Sequence, residues 1–178
     1  GVDVPVALVG LVIDIEGSFT DVGTQDTHTA SINWDDGTVD DATGTTAGSQ
    51  AYATPDMYTI ELTVTDDDNG TDVSLADVTV VDAFGAITAL IGELSTLPEN
   101  ANIAQALDKL IGENGGDAEN GALDQLARDN LNATLEQIKQ AMQELEAAEA
   151  RDASLDLTIL KSLLALTAKS VAVDALER

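Results

Sequence analysis

The stretch SFTDVGTQDTHTASINWDDG, residues 18–37, decides the reading of this chain. In its second half Ala30, Ile32 and Trp34 fall on one side of an extended strand, and Thr29, Ser31 and Asn33 on the other. Asp36-Gly37 then supplies a hairpin turn. The same alternation recurs further along. Tyr58, Ile60, Leu62 and Val64 alternate with Thr59, Glu61, Thr63 and Thr65. Leu11, Ile13 and Ile15 form another stripe, Val78 and Val80 a shorter one, and Asn69-Gly70 marks a second tight turn. Strands of this kind have one buried and one wet face.

Beyond Asp82 the chemistry of the chain changes. Residues 1–82 hold 17 Asp and Glu and no Lys or Arg; the remainder holds 16 acids against 7 bases, so the halves carry −17 and −9. Thr, Val, Gly and Asp dominate the first half, and Ala, Leu, Glu and Gln the second, which favours strands and then helices. Phe84, Ile87, Ile91 and Leu94 share one helical face, ended by Leu97-Pro98. Ile103, Leu107, Leu110 and Ile111 mark a second helix, ended by the glycine-rich stretch from Gly112 to Gly116. Leu131, Leu135, Ile138, Met142 and Leu145 space as a seam on a long helix beginning near Glu119. Ser154 is placed to cap the last helix, whose apolar residues from Leu155 to Val173 cover more than one face. Two positions suit such a helix, the centre of a bundle or an interface with another subunit, and the bundle centre is favoured. The expected architecture is an all-β sandwich of about seven strands over residues 1–82, followed by an all-α domain of about four helices over 83–178.

The formal net charge of −26 excludes most partners that are themselves anionic. Nucleic acid and acidic membrane surfaces both need a basic face. Divalent cations, basic partners or high salt would relieve the self-repulsion. Cysteine is absent, so there is neither disulfide nor thiolate chemistry. No stretch approaches the ~18 uncharged apolar residues of a membrane span. No signal peptide is visible at Gly1, which suggests a mature or excised fragment.

The opening segment resembles the start of a PKD domain, an immunoglobulin-like β-sandwich of cell-surface and secreted proteins. The residues that carry the resemblance are Gly17 to Asp21, Asp26 to Ala30, and Trp34, Asp36 and Gly37. It continues through Ala51-Tyr52, Met57-Tyr58-Thr59-Ile60 and Val64 to Gly70, covering about residues 5–82. Asp35 and Met57 stand where the family usually has glycine, and the stretch before Leu11 is short for a full first strand. An edge left incomplete in this way could be completed by a strand from a neighbouring subunit. The resemblance implies an extracellular module, structural or adhesive rather than enzymatic.

Catalytic chemistry finds little footing. The one histidine, His28, sits inside the family motif, where a structural role is expected. No nucleophile elbow, phosphate loop or dinucleotide fingerprint occurs. Aromatic residues make up 3% of the chain, which argues against a sugar-binding cleft. Calcium is the concrete metal candidate, because hard carboxylate oxygens suit it and some PKD domains bind it. Asp21 and Asp26 on one loop and Asp66, Asp67 and Asp68 on another would meet at one end of the sandwich. The competing reading is a solvated, salt-screened loop. A second acidic group, Asp35, Asp36, Asp40 and Asp41, should lie at the opposite end. Asn69 and Asn132 head glycosylation triplets, and Asn69, on an exposed turn, is the better glycan acceptor.

The sequence thus leads to an extracellular structural or adhesive protein with no enzymatic activity. Its most specific form is a Ca²⁺-assisted subunit of a surface filament, tube or layer that associates with itself or with other surface proteins. The alternative is a non-catalytic binding or spacer module of a larger secreted protein or polysaccharide-degrading enzyme.

Overall fold

The computed structural model describes residues 6–21, 26–98, 100–112 and 121–176. The chain divides into two compact units, Gly1–Val81 and Asp82–Arg178. The first is all β and the second all α.

Seven strands build the first unit: β1 (Val6–Leu8), β2 (Val12–Glu16), β3 (His28–Asn33), β4 (Val39–Asp41), β5 (Ala47–Ala51), β6 (Asp56–Asp66) and β7 (Thr71–Val81). One sheet has the order β1-β7-β6-β3-β4 and the other pairs β2 with β5. All pairings are antiparallel except β1 with β7. The alternation seen in the sequence sets the register. Ala30, Ile32, Trp34, Tyr58, Ile60, Val64, Val78 and Val80 all turn inward and are buried, and Ile13, Ile15 and Leu62 pack against them. The sheets approach closely at Gly48, where a Cβ would lie 2.8 Å from Ile32 and 2.9 Å from Trp34.

The two departures from the family pattern have different consequences. Asp35 adopts φ +62°, the left-handed conformation that a glycine takes without cost. Its carboxylate offsets the strain by accepting the Thr59 N–H at 2.9 Å, while its own N–H donates to Asn33. Met57 lies in the extended strand β6 with its side chain exposed, so no glycine is needed there. The described part of the first strand, Val6–Leu8, pairs with β7 from Thr79 to Val81, and the residues before Val6 lie outside the described ones.

The second unit holds five helices among the described residues, one more than expected: α1 (Ala83–Thr96), α2 (Ala101–Ile111), α3 (Ala122–Ala127), α4 (Leu131–Arg151) and α5 (Thr158–Leu176). Asp82 caps α1 by accepting the Gly85 N–H, and the helix stops at Leu97 before Pro98. Asn100 caps α2, which ends on Gly112 at φ +92°. Residues 113–116 and Glu119 lie outside the described residues.

Three details correct the sequence reading. The long helix expected from near Glu119 is two helices, broken at Asp129 (φ +59°). There the Asn130 side chain accepts the Ala133 N–H and donates to Gln125, offering the backbone an alternative to helix. Phe84 is exposed; α1 buries Ala83, Ala86, Ile87, Leu90 and Leu94 instead. Ser154 does not cap the last helix: it folds back on Asp152, and α5 begins at Thr158, whose N–H donates to Asp156. The Leu157 N–H just before α5 donates to Glu149 of α4, and Glu149 also pairs with Lys161.

The core of this unit lies where α4 meets α2, α3 and α5. Its buried seam on α4 runs through Leu131, Thr134, Ile138, Ala141, Leu145 and Ala148. Leu135 and Met142 are only partly buried, because the small Thr134, Ala141 and Ala148 let the neighbouring helices approach there. Helix α5 buries one face, with Leu164, Thr167, Ser170 and Val171, and leaves Ile159 and Leu166 exposed. The favoured position for this helix, surrounded at the bundle centre, is therefore not the one it occupies.

Candidate functional site

The five acids proposed as a cation site come from three segments of the sandwich: Asp21 after β2, Asp26 before β3, and Asp66 to Asp68 at the β6–β7 turn. All five are described, and the structure gives most of them separate work. Asp66 closes the turn on itself. Its carboxylate accepts the Gly70 N–H at 2.7 Å, and its backbone bonds with Gly70 and Asn69. Asn69 takes φ +68° to permit this, and its side chain stands on an exposed turn, as the sequence implied. Asp67 reaches across to accept the Thr27 N–H at 3.3 Å, tying the start of β3 to the turn. Asp26 and Asp68 are exposed.

Asp21 faces His28. The carboxylate oxygen lies 3.6 Å from Nε2, an ion pair whenever the imidazole is protonated. The His28 ring also packs, tilted, on Phe19, with centroids 4.7 Å apart. Together with Asp66, Asp72 and Val64 these side chains line an open groove of ≈ 490 Å³ at this end of the sandwich. Its walls are acidic with an apolar strip, and Phe19 is 40% exposed on it. Among the described residues no group of three or more His, Asp or Glu is arranged to hold a metal ion. The five acids share an end of the sandwich without forming one cage.

The acids at the opposite end serve the framework. Asp40 accepts the indole N–H of the fully buried Trp34 at 2.9 Å. Asp36 accepts the N–H and hydroxyl of Thr38 and a hydrogen bond from Gln50, which ties the β3–β4 turn to β5. The Thr38 hydroxyl, more than any other contact, holds the Asp36 carboxyl below its ordinary pKa. Asp41 is held low in the same way by the Thr43 hydroxyl and N–H. Sequence reasoning grouped these four as an acidic cluster at this end, open to a partner or another ion. What it missed was the acceptor that a buried indole needs, and Asp40, six residues after Trp34, is that acceptor.

Behind the turn, the Tyr52 hydroxyl donates to the Trp34 carbonyl and its ring stacks on Tyr58 at 4.0 Å. Burial, with help from Asp36, Tyr58 and Asp35, raises the Tyr52 hydroxyl pKa to about 12. The aromatic residues are thus spent mainly on the core, and Phe19 is the one that borders the groove.

A family model described as the PKD domain matches residues 5–81. The match spans the whole described sandwich and stops short of the helices, so the resemblance read from residues 18–37 holds over the β unit. The PKD domain is an immunoglobulin-like module typical of extracellular proteins. No curated protein matches the chain. Among the described residues no helix is long and apolar enough to cross a membrane.

Proposed function

We propose that this chain is a non-enzymatic structural subunit of an extracellular assembly, a filament, tube or layer whose copies join through the sandwich. The observation that carries this reading is the edge of β7. Strand β6 pairs with β7 from Thr71 to Val80, and on the other side the described part of β1 covers Thr79 to Val81. Among the described residues the edge from Thr71 to Val78 has no strand partner. Side chains there are exposed on both faces from Thr71 to Asp77, with Val73 at 50% and Leu75 at 62%. The pairing with β6 runs without a bulge, and the stretch holds neither Lys nor Pro. An open edge lacking such protection is a template for an added strand.

Charge sets the condition for joining. A sandwich with 16 acids over residues 1–81 and neither Lys nor Arg repels its own copies. Ca²⁺ would act by bridging acidic surfaces of adjacent copies, a role that needs no preformed cage within one chain. Sedimentation velocity in EDTA and then across a Ca²⁺ titration at constant ionic strength tests the proposal. Large Ca²⁺-dependent species are expected, and Val73→Glu with Leu75→Glu removes them. A chain that never forms large species sinks self-assembly and leaves the spacer or binding module of a larger secreted protein.

A further inference from the structure

Helix α5 has a second stripe with apolar residues that the described residues of its own unit do not cover. Ile159, Leu166 and Val173 stand seven residues apart, and Ser162, Lys169 and Leu176 alternate with them at spacings of three and four. That is the repeat of a helix–helix seam. Ile159 is 81% exposed, Leu166 41% and Leu176 87%; Ser162 and Lys169 are exposed and Val173 half-buried. The stripe is distinct from the buried face through Leu164, Thr167 and Val171.

The neighbouring helix shows what a solvated face looks like in this chain. The exposed positions of α4 are Asn132, Glu136, Lys139, Gln143, Glu146 and Ala150, at the same spacing, with Arg151 at the helix end, and none is a large apolar side chain. Charge sharpens the contrast. The protein carries 33 acids against 7 bases, yet the 19 residues of α5 hold two lysines and a single acid, Asp174. Lys161 is turned to Glu149 of its own chain. Copies of a −26 chain repel each other over most of their surface, and α5 is the helix where that repulsion is least.

We infer that the outward stripe of α5 is a self-association face, and that its occupant is α5 of a second copy. The pairing is isologous, about a two-fold axis that sets Leu166 against its mate and Ile159 opposite Val173. The antiparallel arrangement also sets each helix dipole against the other favourably. This face is separate from the β7 edge and does not depend on the structural role proposed above. A chain with both faces would form pairs through α5 and join pairs through β7.

The test uses the full chain in high salt, where repulsion is screened. With the β7 edge blocked by Val73→Glu and Leu75→Glu, sedimentation should give twice the 18.4 kDa mass of one chain. Ile159→Glu with Leu166→Glu should return it to one chain; both side chains are exposed, so the fold is not the target. Val73→Glu with Leu75→Glu should leave the pair intact. Because the protein lacks cysteine, Leu166→Cys should form a disulfide-linked dimer under mild oxidation, and Gln143→Cys on the outer face of α4 should not. A wild-type chain that stays single at high concentration, a double glutamate variant that still pairs, or Leu166→Cys linking no faster than Gln143→Cys would each overturn the inference.

Discussion

The Tyr52 hydroxyl donates to the Trp34 backbone carbonyl at 3.0 Å, joining two residues that are 1% and 0% exposed. This carbonyl belongs to the residue where β3 gives way to the β3–β4 turn, so the bond fixes the turn from inside the core. Tyr52→Phe keeps the stack on Tyr58 and leaves a buried carbonyl without that donor. A loss of about 1–2 kcal/mol is expected, read as a lower urea midpoint for the sandwich transition.

The same tyrosine gives an alkaline limb. Its folded pKa, about 12, lies above the ordinary value of 10.0. The folded state therefore holds the proton more tightly. The stability this confers is complete below pH 10 and is lost as pH rises through 12. Thermal melts should show that fall in the wild type and a weaker one in Tyr52→Phe.

Asp36 gives the acid limb. With its carboxyl held below the ordinary 3.8, the unfolded state takes up protons first as pH falls. Its contribution is complete above pH 3.8 and lost as pH drops through the lower folded value. In about 1 M salt, where the general repulsion is screened, the melting temperature should fall below that pH. Thr38→Val removes the hydroxyl that does most to depress the carboxyl, so it should flatten the fall.

Two side chains on α1, Phe84 and Leu90, separate exposure from apolar character. Leu90→Ala empties a fully buried site and should cost about 2–5 kcal/mol in guanidinium unfolding of the helical unit. Phe84→Ala removes a side chain 48% exposed and should cost under about 1 kcal/mol.

Glu149 is the test of how α5 begins. Glu149→Ala removes the acceptor for the Leu157 N–H and the partner of Lys161, and should lower the unfolding midpoint of the helical unit. Ser154→Ala should leave it nearly unchanged, since that hydroxyl bonds only Asp152.

The β unit was legible in the sequence because period-two alternation ties each side chain to a face. Ile32, Trp34, Ile60 and Val80 could hardly point anywhere but inward. Helical faces leave more room. Phe84 stands only ~60° from Ile87 in helical angle, so the apolar stripe took it in, while the buried face extends to the other side of Ile87, where the small Ala86 fits between helices. The break at Asp129 depended on Asn130 reaching both Gln125 and Ala133, contacts that exist only once the chain has turned. The acidic loops were legible as places and not as partners. Whether Asp67 meets a cation or the Thr27 N–H is decided by a loop crossing that no local pattern encodes.

The parallel pairing of β1 with β7 matters when the chain is pulled. Strand β7 runs directly through Asp82 into α1, and β1 lies beside its last three residues, with the Val9 N–H extending the contact to Val81. Tension applied before β1 and after β7 draws the two strands past each other lengthwise. Their hydrogen bonds are then loaded together in shear instead of peeling one at a time, as they would in an antiparallel pair pulled from its open end. The long β6–β7 hairpin lies outside that line of force. Among the described residues, Val6–Leu8 and the Val9 N–H are what hold β1 to β7 against that load.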